Sequence, residues 1–230
     1  MIDIAKLVLD VLFPPKCPFC GRLLDEGRVF CGECVAKVRR VPNDYPENTD
    51  ENLDGVCSAL FYEGGVRRAI LGFKFGGRTS VAKPLGMLMA EAVRRRWEYI
   101  PDVVAPVPVG LRSGRRRGFN QAELLARQVA RSLGVPMDAR LVKRVAGSAV
   151  QSALDARRRR ENLQGVFSAA PSAAGRSVLL VDDITTTGAT LRGCAAALKA
   201  AGAVRVMAVT AAVTEKTLRQ ADGEDTVRRA

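Results

Sequence analysis

Residues 177–190, SVLLVDDITTTGAT, join three kinds of chemistry in one short stretch. Val178–Val181 is an unbroken apolar run of the kind found in a strand buried on both faces, and Asp182 and Asp183 follow at its carboxyl end. A Thr/Gly-rich loop comes next, and a helix is expected to start near Thr190. Amides at a helix start, with the positive end of its dipole, suit a phosphate dianion. Gly188 lets the backbone approach such a group, and Thr186, Thr187 and Thr190 add hydroxyl donors. The two carboxylates upstream can accept hydrogen bonds from the vicinal hydroxyls of a ribose. A plain strand–helix junction with a capping threonine would leave two charged residues at the end of an apolar strand unexplained. The stretch therefore reads as a pocket for a phosphorylated sugar, placed where open α/β sheets bind ligands.

A second constellation is Cys17-Pro-Phe-Cys20 and Cys31-Gly-Glu-Cys34, a CxxC-x10-CxxC spacing. Each pair puts two thiolates on one side of a tight turn, and two such turns complete a tetrahedron around Zn2+. Four protein ligands leave no open position, so this site is expected to be structural. Cys57 and Cys194 sit among apolar residues and read as small buried side chains. The chain has no histidine, which excludes histidine metal sites and histidine general bases.

Two basic segments accompany these motifs. Residues 105–121, APVPVGLRSGRRRGFNQ, leave a buried strand and carry Arg112, Arg115, Arg116 and Arg117 among Gly and Pro before entering a helix. Clustered guanidinium groups on such a loop suit a pyrophosphate, although a solvated basic face is the plainer alternative. A further segment from Arg144 to Phe167 contains Gln151, Leu154, Arg157–Arg160 and Asn162 and reads as a candidate lid.

These residues need a scaffold, and the apolar pattern supplies one. Strands are expected at Val56–Tyr62, Asp102–Val107, Ser177–Val181 and Val204–Val213. A helix or helical turn is expected at Val66–Phe75, and helices at Leu85–Trp97, Asn120–Leu133 and Thr190–Ala201. Apolar strands alternating with helices imply an α/β fold, a parallel sheet covered on both faces. The chain divides into residues 1–40 (a helix and the cysteine module), a Pro/Asn/Asp-rich linker at 41–55, the α/β domain at 56–213 and a polar, flexible tail at 214–230. At the start, Ile4, Leu7, Val8, Val11 and Leu12 share one helical face, while Asp3, Lys6 and Asp10 interrupt any signal-like run.

Composition agrees with this division. The 230 residues are 47% hydrophobic and carry a formal charge of +12. That charge is unevenly placed: residues 1–60 hold 7 Lys+Arg against 10 Asp+Glu, and residues 61–230 hold 29 against 14. An anionic partner is expected for the second part. No apolar stretch approaches the ~20 residues of a membrane span, so membrane insertion is not expected, and a reducing cytoplasm is the expected compartment.

Taken together the motifs resemble a known family. Four hydrophobic residues, two acids, Ile-Thr and then Thr-Thr-Gly-Ala-Thr are similar to the phosphoribosyl pyrophosphate signature of type I phosphoribosyltransferases. With the N-terminal four cysteines, FYEGGVRRAILGFKFGG, PVPVGLRSGRRRGFNQAELLA and the Gln151…Leu154…Arg159…Asn162…Phe167 pattern, they occur in the order typical of the ComF/GntX family, over about residues 10–212. One departure is Ser148 where threonine is expected; both offer a hydroxyl.

The resemblance implies a type I phosphoribosyltransferase-like fold with a small N-terminal zinc module, and three loops around phosphoribosyl pyrophosphate. Asp182 and Asp183 would hold the ribose, and Thr186, Thr187, Gly188, Ala189 and Thr190 the 5′-phosphate. Val107, Pro108 and Arg112 would line the pyrophosphate loop, with Gln151 and Arg159 on the lid. Zn2+ would be structural, and Mg2+ would accompany the sugar pyrophosphate. Two functions are compatible with it: a phosphoribosyltransferase of unknown acceptor, or a DNA-uptake (competence) accessory protein that binds single-stranded DNA and a helicase-like partner.

Overall fold

The structure is a computed structural model describing residues 14–25, 27–46, 49–109, 119–145 and 165–215. The expected amphipathic helix over residues 4–12 lies outside them. In chain order the elements are α1 (Gly32–Lys37), β1 (Gly55–Phe61), α2 (Gly64–Phe75), a 3-10 turn (Thr79–Val81), α3 (Ala82–Arg96), β2 (Val103–Pro106), α4 (Gln121–Leu133), β3 (Val142–Arg144), β4 (Phe167–Ala169), a second 3-10 turn (Pro171–Ala173), β5 (Ser177–Thr185), α5 (Ala189–Ala200) and β6 (Arg205–Val213). Four strands form a parallel sheet in the order β1-β6-β5-β2.

Successive strand residues point to opposite faces, and both faces are covered. Leu179, Val181, Met207 and Val209 pack with Ile70 and Phe73 of α2, Leu85 and Met89 of α3 and Leu125 and Val129 of α4. Val178, Leu180, Val206 and Ala208 pack with Leu191, Cys194 and Leu198 of α5, and with Leu141 and Phe167. This is the two-faced burial that continuous apolar strands require.

β5 runs four residues past the apolar segment. Its ladder to β6 continues through Asp182↔Thr210, Ile184↔Ala212 and Thr185↔Val213, so the acidic pair lies inside the strand. Ladder bonds are made by backbone groups, which do not stop where the side chains turn polar. β3 and β4 are three residues each, too short to carry a visible apolar period, and they pair antiparallel. The chain before β1 is also engaged with the sheet. Arg40 bridges Leu60 antiparallel, Val41 N–H donates to Ala59 O at 3.1 Å, and Leu53 is fully buried against the α5 side.

Two close approaches set the packing. Gly86 of α3 faces α4 so tightly that a Cβ there would stand 2.4 Å from Gln128 Cβ. Gly86→Ala is therefore expected to force the two helices apart and to cost about 1–3 kcal/mol, read as a lowered midpoint in thermal or urea unfolding. Phe19, between the first two cysteines, packs on the start of α2, where a Cβ on Gly65 would lie 3.0 Å from Phe19 Cβ. Its ring stacks on Phe30 at 5.6 Å. Cys17, Phe19 and Cys31 thus belong to the same buried cluster as Ala69 and Ile70 of α2.

Candidate functional site

The loops that matter leave neighbouring strands at the carboxyl edge of the sheet. β5 pairs with β2 up to Pro106↔Val181, and Val107 N–H continues the ladder to Val181 O at 2.9 Å. From β5 the chain passes through exposed Thr186 and Thr187 to Gly188. Gly188 caps α5 with φ 73° and ψ −1°, a left-handed conformation that side chains with a Cβ disfavour. No acidic residue occupies the first turn of α5, whose leading amides have no helical carbonyl to receive them. The turn is held from behind by Arg192, which donates to Thr187 O at 2.8 Å and lies 3.8 Å from the Asp50 carboxylate.

Asp182 and Asp183 occupy alternate positions of β5 and so face opposite sides of the sheet. Asp183 is almost buried and pairs with Lys74 Nζ of α2 at 2.9 Å. Asp182 accepts from Asp183 N–H at 2.8 Å and lies on the α5 side, where burial first and the Asp182 charge second raise the Cys194 thiol. Burial, then the neighbouring Asp183 carboxylate, push Asp182 up to about 7, against the pull of the Asp183 amide and Lys74. The folded chain then binds more protons than the unfolded one between about pH 4 and 7, so this group's contribution to stability falls as pH rises through that window. Asp182→Asn is expected to remove that slope from the pH dependence of urea unfolding.

The pyrophosphate-loop residues divide. Val107 is buried and Pro108 half-buried at the end of β2, while Arg112 and Arg115–Arg117 lie outside the described residues. Asn120 closes the base of this loop: its side-chain amide donates to Val107 O at 3.4 Å, and its oxygen caps α4 by accepting from Ala122 N–H at 3.0 Å. Gln151, Arg159 and the rest of residues 146–164 also lie outside the described residues. The two ends of that segment meet, since Arg144 pairs with Phe167 and Val145 N–H donates to Val166 O at 2.9 Å.

The four cysteines converge. Their sulfurs all lie within 4.8 Å of one another, with Cys20 Sγ and Cys31 Sγ 3.7 Å apart. A tetrahedron with Zn–S bonds of about 2.3 Å has sulfur–sulfur edges of about 3.8 Å, so the donor set fits the ion. Burial raises the Cys17 thiol, but the amides of Cys31, Cys20 and Phe19 outweigh it and bring it down to about 7. Burial and the three neighbouring cysteines raise Cys34. A divalent cation at the centre of the four sulfurs removes that mutual opposition to ionisation.

Sequence reading overlooked Lys74, Arg192 and Asp50. Lys74 sits in FKFGG among aromatic residues, and Arg192 lies five positions after Thr187 on a helix. For Arg192 the only signal was its place in the first turn of α5, on the face that returns to the loop. Asp50 comes from the Asn/Asp-rich stretch before β1, and nothing in that stretch points across to α5.

Two family models match the chain. Residues 119–228 match the phosphoribosyl transferase domain family, and residues 8–45 match the double zinc ribbon domain. Competence protein F of Haemophilus influenzae is 33% identical over 195 residues, covering 82% of this chain and 80% of that protein. DNA utilization protein YhgH of Escherichia coli K12 is 31% identical over 194 residues, 83% of this chain and 80% of that one. Among solved structures, the glutamine phosphoribosylpyrophosphate amidotransferase from B. subtilis complexed with ADP and GMP is similar with a TM-score of 0.41 and 23% identity, over 56% of this chain and 26% of that one. A parallel sheet of phosphoribosyl transferase type behind a four-cysteine zinc ribbon, with relatives of this identity along most of its length, places the chain in the competence protein F and DNA utilization protein YhgH family.

Proposed function

We propose that the chain binds phosphoribosyl pyrophosphate together with Mg2+ and acts as a phosphoribosyltransferase on a nitrogen acceptor. The observation that carries this reading is the union, at one edge of the sheet, of the acidic pair of β5, the Gly188-capped start of α5 and the end of β2. Thr186–Thr190 would receive the 5′-phosphate through amides and hydroxyls, and Asp182 and Asp183 the ribose hydroxyls. Val107 and Pro108, with Arg112, would face the pyrophosphate, and Gln151 and Arg159 would approach from the lid. Transfer would break the bond from ribose C1 to pyrophosphate oxygen and form one from C1 to the acceptor nitrogen. Protein groups would position the sugar and offset departing negative charge. Mg2+ draws its ligands largely from substrate oxygens and water and would neutralise the pyrophosphate.

Binding is expected to follow the ionisation of Asp182. A neutral carboxyl is a poorer acceptor, so affinity for the sugar pyrophosphate should rise about tenfold from pH 6 to pH 8 for a group titrating near 7. Calorimetric titration at each pH measures this. The substrate's own phosphates titrate in the same range, so the decisive comparison is Asp182→Asn, in which the additional pH dependence should vanish. Turnover is tested by pyrophosphate release across a panel of nucleobases and amines.

A second reading is a role in handling DNA. It is favoured by the names of relatives, DNA utilization protein and competence protein, and by the excess of cations in residues 61–230. Phosphate neutralisation would then make binding strongly salt-dependent. Four metal-held thiolates suit a reducing cytoplasm, which is the compartment this reading assigns. Among the described residues no helix is long and apolar enough to cross a membrane.

A further inference from the structure

Between the zinc module and the start of α3 lies a cleft of about 490 Å³ whose lining includes neither residue of the acidic pair. Its walls come from two parts of the chain: Pro14, Pro15, Lys16, Leu24, Arg28 and Val29 on one side, and Arg78, Ser80, Lys83 and Pro84 on the other. Lys16, Arg28, Arg78 and Lys83 are all exposed. Among the described residues no carboxylate lines the cleft, and Lys16, Arg78 and Lys83 make no ion pair. Arg28 approaches Asp25 at 3.5 Å. Four cations brought to one concavity from opposite walls repel one another, and that repulsion is relieved by an anion that spans the cleft.

We propose that this cleft binds the phosphodiester backbone of a single-stranded nucleic acid, a placement that rests on the DNA reading above and gives it a surface. No aromatic ring lines the cleft among the described residues, so the backbone carries the recognition: the cations and the Ser80 hydroxyl meet phosphate oxygens, and Pro14, Pro15, Leu24, Val29 and Pro84 give apolar contact to the sugars. The volume is that of a small-ligand pocket, so one strand enters where a duplex about 20 Å across does not. An acidic peptide fits less well, because an extended peptide seeks backbone hydrogen bonds and the three prolines provide no N–H. Arg78 also ties this cleft to the sugar-phosphate site. It follows Lys74 by four residues, its stem packs on Gly72 of α2, and Lys74 reaches Asp183. A strand in the cleft therefore lies at one end of the segment whose other end touches the acidic pair.

The test is fluorescence anisotropy of a labelled oligothymidylate with the zinc-loaded full chain, across a range of salt concentrations. Lys16→Gln/Lys83→Gln is expected to weaken binding at least tenfold at low salt and to reduce the log–log salt slope by about 1.4, the loss of two single-strand phosphate contacts. Arg78→Met, which keeps the stem against Gly72, should weaken it severalfold. Zinc content and affinity for phosphoribosyl pyrophosphate should stay unchanged in both variants. Wild-type binding with unaltered affinity in both variants overturns the placement and leaves the DNA reading standing. Absence of wild-type binding at low salt overturns both. Displacement of the oligonucleotide by oligoglutamate at equal charge concentration identifies the occupant as an acidic polypeptide and also overturns the proposal.

Discussion

Replacing Cys17 by serine is expected to abolish stoichiometric zinc binding and to loosen the protein well beyond the module itself. A structural four-thiolate site supplies on the order of 10 kcal/mol of local folding free energy, and the segment around it is too small to build a core unaided. Cys17 is fully buried, and the turn it anchors carries Phe19, whose Cβ and carbonyl lie against the start of α2 at Gly65. Losing the metal therefore removes Phe19 from a cluster that continues through Ala69 and Ile70 to the sheet. The checks are metal analysis, thermal unfolding and limited proteolysis. Zinc content should fall from one ion per chain to none, the unfolding midpoint should drop by several degrees, and cleavage should concentrate between residues 14 and 45. A Cys17→Ser protein with an unchanged midpoint and the parent digestion pattern would show that the module contributes nothing to the core. Serine at Cys57, which lies outside the cluster of four, should leave zinc content unaffected.

Asp183→Asn should produce the largest loss of sugar-pyrophosphate affinity, about 10- to 100-fold, the equivalent of one hydrogen bond to a charged group. The substitution keeps the shape and removes the charge. It also leaves Lys74, whose side chain is 21% exposed, without its carboxylate at 2.9 Å. That costs about 2 kcal/mol of stability, between the values for exposed and fully buried pairs. The two effects are separable. Lys74→Gln breaks the same ion pair and should cost comparable stability while leaving the Asp183 carboxylate in place. If ribose binding depends on Asp183 directly, the asparagine variant loses far more affinity than the glutamine variant at equal stability. Equal affinity of Asp183→Asn and the parent chain in calorimetric titration with Mg2+ would defeat the proposed role of the acidic pair.

The parts of this protein that could be read in one dimension are those whose causes are local. Four sulfurs in two CxxC turns meet because each turn is short. A run such as VLLV becomes a strand covered on both sides because no face of it tolerates water. A glycine after three threonines sits where the chain must adopt positive φ to start α5. Helix positions followed from apolar spacing, and α4 runs from Gln121 to Leu133, with Asn120, read from the sequence as its first residue, serving as its cap.

Other features depended on pairs far apart in the chain. β5 extends through the aspartates because β6 offers backbone partners as far as Val213, and a backbone ladder leaves no mark on side-chain polarity. That extension turns two adjacent carboxylates toward different sides of the sheet, giving Asp183 a lysine and Asp182 a surrounding that favours its proton. Lys74 and Arg192 acquired their roles from the ion pair to β5 and the bond to Thr187. The fastening of Val41 to the edge of β1, and the cationic cleft shared by the zinc module and α3, arise from docking between segments tens of residues apart. Periodicity and spacing carry the preferences of neighbouring residues, whereas a carboxylate's charge state and a cleft's lining are set by whatever the folded chain places across from them.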